Sequence, residues 1–543
     1  MTDSSLPILI QQMLQPSFYP HPVTEPIQLI QTHISFILLT GDYAYKIKKS
    51  VNFEFLDFSS LTNRQHFCQE ELRLNQPLAP EFYLEVLPIS QVGDRFQLGE
   101  ETNIVEYTLK MCQFPQDNLL ITLFEQGKLT LEHLTQLGKK VALFHLNAPT
   151  NDYIRQFGEI PKIRQAIEQN YNQTAQYIGF VQTQQQYEET KQFTDKFFKE
   201  NESLFQSRIE QNWIRECHGD LHLKNMFLWK DEVMLFDRIE FNEEFRFVDV
   251  MYDIGFTVMD LDARERSDLS CQFLNTYIEQ TGDWEGLQIL PFYLCRQAYV
   301  RAKVNSMMLD ESEISSEKKQ EIQKEAALYY QLAWQYTQQK PGRIIMMSGL
   351  SGSGKSTVAR QLARRLNGIQ IRSDAVRKQL GKIPLNERGT EALYTAEMTQ
   401  NTYKRLLDLG IILAKQGFTV ILDAKYDQQQ LRETVIKQCE FDQLPLNILE
   451  CVAPMEILRS RLQQRKGDIT DATVDLLESQ QQASEVLTEV EKAYVTSIDT
   501  TQDIAAQLDQ FSQGISIFHS KSSIIESGVN PPAINKEQED HAC

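Results

Sequence analysis

The chain has 543 residues, 41% of them hydrophobic and 24% charged, an ordinary globular balance that excludes extended disorder for its bulk. One hydrophobic core rarely grows past about 250–300 residues, so this length calls for several domain-sized units, about three to five. Acidic residues outnumber basic ones 74 to 54, a formal charge of −20, which argues against a sequence-independent nucleic-acid coat protein and against binding to an anionic membrane.

No run of about 18 apolar residues occurs, so no transmembrane helix is expected. The start, MTDSSLPILIQQML, has neither a basic n-region nor a small-residue cleavage site and does not read as a signal peptide. The eight cysteines (68, 112, 217, 271, 295, 439, 451 and 543) form no CxxC pair. Reduced, buried thiols are therefore expected rather than zinc ligands or disulfides, and a cytoplasmic location follows.

In chain order, ISFILLT (34–40), the turn Gly41-Asp42 and YAYKIKK (43–49) read as a β-hairpin. NRQHFCQEELRLNQPL reads as a helix, with Leu74 and Leu78 following Glu71. IVEYTLKMCQFP (104–115) alternates like a strand and stops at Pro115. Residues 120–210 and 262–335 lack strand signals and are expected to be mostly helical. His145 lies on an apolar face there and reads as a core histidine.

The segment Cys217-His218-Gly219-Asp220-Leu221-His222-Leu223-Lys224-Asn225 gives Asp220 and Asn225 the spacing of a kinase catalytic loop. In that chemistry Asp220 orients the acceptor hydroxyl or takes its proton, and Asn225 ligates Mg²⁺. FLW (227–229) and VMLFDRIEF (233–241) then read as a hairpin whose second strand delivers Asp237 to the place of the metal-binding aspartate. Asp249 and Asp253, in FVDVMYDIGF, follow on a helix-like segment and read as braces for that loop.

Residues 311–342 read as a connecting helix, with Leu328, Leu332 and Trp334 near helical spacing, ended by Pro341-Gly342. The short apolar strand RIIMMS (343–348) precedes Gly349-Leu350-Ser351-Gly352-Ser353-Gly354-Lys355-Ser356-Thr357, which fits GxxxxGK[ST] in full. The glycines let backbone N–H groups curl around phosphates, Lys355 reaches the β- and γ-phosphates, and the Ser356 hydroxyl ligates Mg²⁺. The amphipathic helix after it points its positive dipole end at the anion. FTVILDA (418–424) ends in Asp423, the Walker-B position for Mg²⁺ and its water. IQIRSDAVRK (369–378) supplies Asp374 as a candidate base toward a substrate hydroxyl, and Arg377, one turn on, to hold a substrate anion. Arg461 and Arg465, at i and i+4 on one helix face, suit a lid over transferring phosphate charge. A disordered tail is expected over 516–543.

GLSGSGKST, RSDAVRK, VILDAKY and RLQQRKGDITDA resemble, in order, the phosphate loop, substrate-base segment, Walker-B strand and lid of the P-loop kinases of the polynucleotide-kinase and zeta-toxin-like group. HGDLHLKN followed by LFDRIEF resembles the aminoglycoside-phosphotransferase-like branch of the protein-kinase-like fold. That resemblance implies that Lys46 contacts nucleotide phosphate and that Glu71, rather than its neighbour Glu70, pairs with Lys46. It also implies that Met111 lies at the adenine-contacting hinge; Lys48 and Lys49 read as solvated. One departure is the β-turn at Gln31-Thr32-His33-Ile34-Ser35, where no GxGxxG stands.

The two halves together resemble a bacterial family of bifunctional aminoglycoside phosphotransferase/ATP-binding proteins. The expected architecture is an α+β protein-kinase-like bilobal domain over 1–310, a helical linker over 311–342 and an α/β P-loop NTPase domain with a parallel sheet over 343–515. The expected function is γ-phosphoryl transfer from Mg-ATP to a small hydroxylated acceptor. The alternatives are an ATP-switched regulatory protein and a 5′-hydroxyl polynucleotide kinase; the acidic balance and the lack of a basic, aromatic single-strand groove disfavour a nucleic-acid partner.

Overall fold

The computed structural model describes residues 6–53, 55–311, 314–338, 340–465 and 467–526. The chain divides into two units after Pro341.

The main sheet of the first unit has six strands: β1 (Gln28–Gln31), β2 (Ser35–Leu39), β3 (Tyr43–Lys48), β4 (Tyr83–Val92), β5 (Arg95–Leu98) and β6 (Ile104–Cys112). They form one antiparallel sheet in the order β1-β2-β3-β6-β4-β5. Alternation puts Leu38, Tyr45, Ile47 and Ile89 into one core beneath it. Helix α1 (Leu61–Asn75) starts where the Ser60 hydroxyl accepts the Asn63 N–H, and it packs on β6 and β4.

The rest of the unit is mostly helical. It includes α2 (Leu131–Asn147), a hairpin of β7 (Met226–Trp229) and β8 (Glu232–Leu235), and then α3 (Val250–Ala263), α4 (Ser267–Thr281), α5 (Leu290–Met308) and α6 (Ser316–Tyr336). Every residue of α3 from Val250 to Leu261 is buried, which makes it the axis of this lobe. A second core joins hairpin to sheet through Phe82, Leu109, Phe227 and Met234.

Three expectations are corrected. The strand read over 233–241 ends at Leu235, and Asp237 sits beyond it in the left-handed region at φ 61°. The expected linker helix is α6, and it belongs to the first unit. Its buried face is Ile322, Ala326, Tyr329, Tyr330 and Ala333, while Leu328 is exposed. Tyr330 stacks edge-on against Tyr299 of α5 at 5.2 Å, and the Trp334 indole N–H donates to Glu189 at 2.6 Å. Each fully buried ring of this kind stabilises the packing by about 1.5–3 kcal/mol, so α6 is held in place rather than tethered. Finally, the expected tail is helical through Glu526; its remainder, 527–543, lies outside the described residues.

The second unit is built on β9 (Arg343–Ser348), β10 (Ile369–Arg372), β11 (Thr419–Asp423), β12 (Leu446–Val452) and β13 (Val495–Asp499). All pairings are parallel, in the order β10-β11-β9-β12-β13. All six residues of β9 are buried, as a central strand covered on both faces requires. The helices that matter for the site are α7 (Lys355–Leu366), α8 (Ser373–Leu380), α9 (Ala396–Lys415), α10 (Met455–Gln464) and α11 (Ile504–Glu526).

Among the described residues no helix is long and apolar enough to cross a membrane. The seven described cysteines are free thiols, all buried except the partly exposed Cys112.

Candidate active sites

In the first unit, β3 alternates, so Lys46 and Lys48 face the same side. Lys46 Nζ lies 2.7 Å from Glu71 Oε1 on α1 and 2.7 Å from Asp237 Oδ1. Glu70 instead pairs with Arg73. Lys48, expected in solvent, is buried: its Nζ lies 2.7 Å from Glu71 Oε2 and also pairs with Glu240. Lys49 reaches the Thr32 carbonyl at the edge. Burial works against the Lys46 charge, but Asp237, Glu71 and Glu240 outweigh it and hold its pKa well above the ordinary value. Burial likewise pushes Glu71 up, and the two lysines overcome it, holding the carboxyl well below the usual range. Burial wins at Glu240, whose pKa is raised.

The catalytic-type loop is hung from α3. Asp253 accepts the backbone N–H of His218 at 3.1 Å and of Gly219 at 2.7 Å, Thr257 donates to the Leu221 carbonyl, and Asp260 accepts from Leu223. These three side chains sit at i, i+4 and i+7 on one helix face. Gly219 has φ 87°, and a Cβ there would lie 2.7 Å from the Phe245 carbonyl oxygen, so no other residue fits the turn. His145 is a core histidine that also holds this brace in place, bridging Asp253 Oδ2 at 2.9 Å and the Tyr277 hydroxyl at 2.8 Å. Asp249 caps α3 and pairs with Arg208.

Asn225 Nδ2 donates to the Asp220 carboxylate at 2.9 Å, and His222 Nε2 lies 3.2 Å from the same group. Burial pushes Asp220 up, but His222, Arg301 and His218 outweigh it and hold the carboxyl at about 2. It is therefore ionised throughout the neutral range. Asp237 is fixed from behind, its N–H donating to the Tyr83 hydroxyl at 3.0 Å.

Asn225 Oδ1 and Asp237 Oδ2 accept no hydrogen bond among the described residues. Two unspent hard oxygens fit the donor preference of Mg²⁺. Met111, expected at an adenine hinge, packs its side chain against the core that holds Phe82 and Phe227. In the turn that replaces a glycine-rich loop, Thr32 Oγ1 already accepts the N–H groups of Ile34 and Ser35.

In the second unit the phosphate loop leaves the C-terminal end of central β9, the usual ligand position in parallel sheets. Gly349 has φ 129°, and a Cβ would stand 2.5 Å from the Cys451 carbonyl oxygen. Lys355 Nζ donates to the Leu350 carbonyl at 2.8 Å; burial pushes its pKa down, with Asp423 pulling the other way. Ser353 Oγ is buried without a hydrogen-bond partner among the described residues. Such an orphaned hydroxyl inside the loop, beside an ammonium shifted by burial, fits a site made for an anion.

Asp423 ends β11 and accepts Gln370 Nε2 at 2.8 Å. Asp374 opens α8; burial raises its pKa, and neighbouring Asp423 adds to the rise. Ser351, Gly352, Gly354, Lys355, Ser356, Thr357, Asp374, Arg377, Asp423, Arg461 and Arg465 line one cavity of about 1220 Å³. Single-ligand pockets span about 300–1,000 Å³, so this one has room for a nucleotide and a second molecule.

The arginines differ from expectation. Arg377 is buried and donates to the Leu393 carbonyl at 2.7 Å and to Thr399, tying α8 to α9. Arg461 donates to Thr500 Oγ1 and to the Thr500 carbonyl, both at 2.8 Å, and so braces the loop wall. Arg465 does not share its helix face, because α10 stops at Gln464. Sequence reasoning missed two anchors of the cavity rim. Arg372 pairs with Asp468, and Asp471 accepts from the Gly389 N–H at 2.9 Å and the Tyr394 hydroxyl at 2.5 Å. Their only sequence signal is the acidic residues of the GDITDA segment.

Residues 344–487 match the family described as AAA domain. An uncharacterized protein of Mycobacterium tuberculosis is 28% identical over 462 residues, which cover 84% of this chain and 90% of the relative. Among solved structures, an amicoumacin kinase in complex with AMP-PNP, Ca²⁺ and Ami is similar over 59% of this chain and 92% of its own, at 14% identity and a TM-score of 0.38. A gluconokinase from Sinorhizobium meliloti is similar over 33% of this chain and 98% of its own, at 19% identity and a TM-score of 0.24. The segment 344–487, with its phosphate loop at the end of an all-parallel sheet, thus matches the AAA domain family, and it follows a unit that joins a six-stranded antiparallel sheet to a mostly helical lobe.

Proposed function

We propose that the chain is an ATP-dependent phosphotransferase with two sites, each moving a γ-phosphoryl group to a small hydroxylated acceptor. The observation that carries the reading is Lys46, which bridges Glu71 on α1 and Asp237 while Asp220 stands hydrogen-bonded to Asn225. A lysine only 11% exposed and shared between two carboxylates from distant parts of the chain costs desolvation that packing alone does not explain.

In the first unit Lys46 holds nucleotide phosphate, with Glu71 setting its position. Asp220 accepts a hydrogen bond from the acceptor hydroxyl and aims its oxygen at the γ-phosphorus. The new O–P bond forms as the bond to the β–γ bridging oxygen breaks, ADP leaves, and the hydroxyl proton departs by way of Asp220. A carboxyl held at about 2 is a weak base, so its main work is orientation, in keeping with a loose transition state in which the proton leaves late. Asn225 and Asp237 in the first unit, and Ser356 and Asp423 in the second, would hold Mg²⁺, which would supply charge neutralisation on the phosphates. In the second unit Lys355 and the loop amides cradle phosphate, and Asp374 takes the acceptor proton.

Asp220→Ala, Lys355→Ala and the double variant, assayed for Mg-ATP hydrolysis and for transfer to sugars, sugar acids, aminoglycosides and oligonucleotides, test this. Each single variant should lose its own subset of transfers and the double all of them. If Asp220→Ala leaves every transfer intact, the first unit is not a catalyst.

A further inference from the structure

Against α3, the helix that hangs the Asp220 loop, stand two arginines of α5 that the mechanism above does not use. The Arg296 guanidinium lies over the ring of Tyr252 at 4.5 Å, and that of Arg301 lies 5.8 Å from the ring of Phe256. Tyr252 and Phe256 are one turn apart on α3, the helix that carries the catalytic-type loop. The Phe256 ring is 5.3 Å from the ring of His222, whose Nε2 is 3.2 Å from Asp220. Arg301 acts electrostatically on Asp220 itself, and Arg296 on Tyr252, which also feels the Asp220 charge, so both guanidiniums belong to the surroundings of that carboxylate.

Their bonding differs from that of nearby arginines. Arg208 is held by Asp249 and Asp283, and Arg264 by Asp260. Neither Arg296 nor Arg301 is in an ion pair among the described residues, and Arg296 Nε is buried without a hydrogen-bond partner. Arg301 is also among the groups that hold the Asp220 carboxyl low. Two guanidiniums outside any ion pair among the described residues, in a chain of formal charge −20, mark a place where negative charge is to be received.

We propose that the acceptor served by Asp220 is anionic: a hydroxylated small molecule bearing a phosphate or a carboxylate, which Arg296 and Arg301 grip while its hydroxyl meets Asp220. The proposal rests on the phosphotransfer reading of this site. It names the group that fixes the acceptor, and it excludes a cationic aminosugar, which the two guanidiniums would repel.

The test reads binding without turnover. The full chain carrying Asp220→Asn and Lys355→Ala, saturated with AMP-PNP, is titrated calorimetrically with three sets of ligands. Glycerol, ribose and glucose phosphates form the phosphate arm; glycerate and gluconate form the carboxylate arm; glycerol, ribose, glucose and kanamycin are the neutral and cationic controls. At least one anion should bind more tightly than its neutral parent, and the arm in which it falls identifies the group. Arg296→Gln and Arg301→Gln should each weaken that binding by about 10- to 100-fold, the loss of a charge-assisted contact, while AMP-PNP affinity stays unchanged. The proposal is overturned if no anion binds better than its neutral parent, if kanamycin binds best, or if both glutamine variants bind the anion as tightly as their parent. Failure of the phosphotransfer reading would appear elsewhere, as full transfer activity retained by Asp220→Asn alone.

Discussion

Replacing Lys48 with methionine removes one charge from a row of five ionic groups, Asp237–Lys46–Glu71–Lys48–Glu240, linked in sequence by short contacts. Methionine nearly preserves the volume, so the perturbation is chiefly electrostatic. The side chains of Lys48, Glu71 and Glu240 are 1%, 1% and 4% exposed, and the substitution leaves Glu240 without its direct partner in a dry setting. Breaking a buried pair in this way costs about 3–5 kcal/mol. Unfolding entropy of about 2.1 cal/mol/K per residue, over a unit of some 341 residues, converts this to a fall of about 4–7 °C in the midpoint of that unit. Scanning calorimetry of the full chain measures it. Adding Glu240→Gln to Lys48→Met removes the stranded charge and should recover more than half of the loss. A solvated lysine would change stability by no more than about 0.5 kcal/mol. A shift below about 1 °C, or a double variant no more stable than Lys48→Met, would refute the burial argument.

Asp374→Asn should reduce transfer at the second site by about 100-fold or more, the usual worth of a positioned base. The folded-state pKa of Asp374 lies above its ordinary value, so its titration stabilises the fold below that ordinary value and the contribution is lost as pH rises through the folded pKa. The same variant should therefore raise the midpoint of the second unit at neutral pH, and the wild-type activity of that site should fall on the acid side at a pH above 3.8; an unchanged midpoint would count against the buried charge. Gly342→Ala places a Cβ 1.9 Å from the Ala414 carbonyl oxygen, at the entry to β9. It should cost the second unit about 1–3 kcal/mol, read from denaturant unfolding, with no effect on the first.

What the sequence reveals depends on how far apart the participants lie. The phosphate loop is contiguous, and its glycines carry the backbone shape within nine residues. HGDLHLKN is legible for the same reason, and the Gly219 turn explains why glycine stands in it. Lys48 is the opposite case. In a run of lysines it reads as solvated, and only the fold brings in Glu240, 192 residues later, to bury it. Arg377 and Arg461 read in sequence as cations for a substrate anion and for transferring phosphate, whereas their partners Leu393, Thr399 and Thr500 are backbone or hydroxyl groups that leave no signature in a sequence. Helix α6 was read with the right period and the wrong face. Its anchors are tyrosines, whose hydroxyls lower their apparent hydrophobicity while their rings fill the groove beside α5. Asp237 shows a limit of strand reading: apolar alternation does not reveal where a chain leaves the ladder for a left-handed turn.

The buried thiols bear on how openings of this molecule can be timed. Cys68, Cys217, Cys271 and Cys295 lie in the first unit, Cys439 and Cys451 in the second. Burial pushes Cys68, Cys295, Cys439 and Cys451 up to about 12. Alkylation needs both access and thiolate, and at neutral pH these groups offer neither while folded. A small alkylating reagent thus samples transient exposure rather than the resting structure, and each unit carries its own stopwatch. Peptide mapping of the modified cysteines gives two opening rates from one reaction, with no label introduced, and nucleotide added to the mixture will slow only the clock of the unit that holds it.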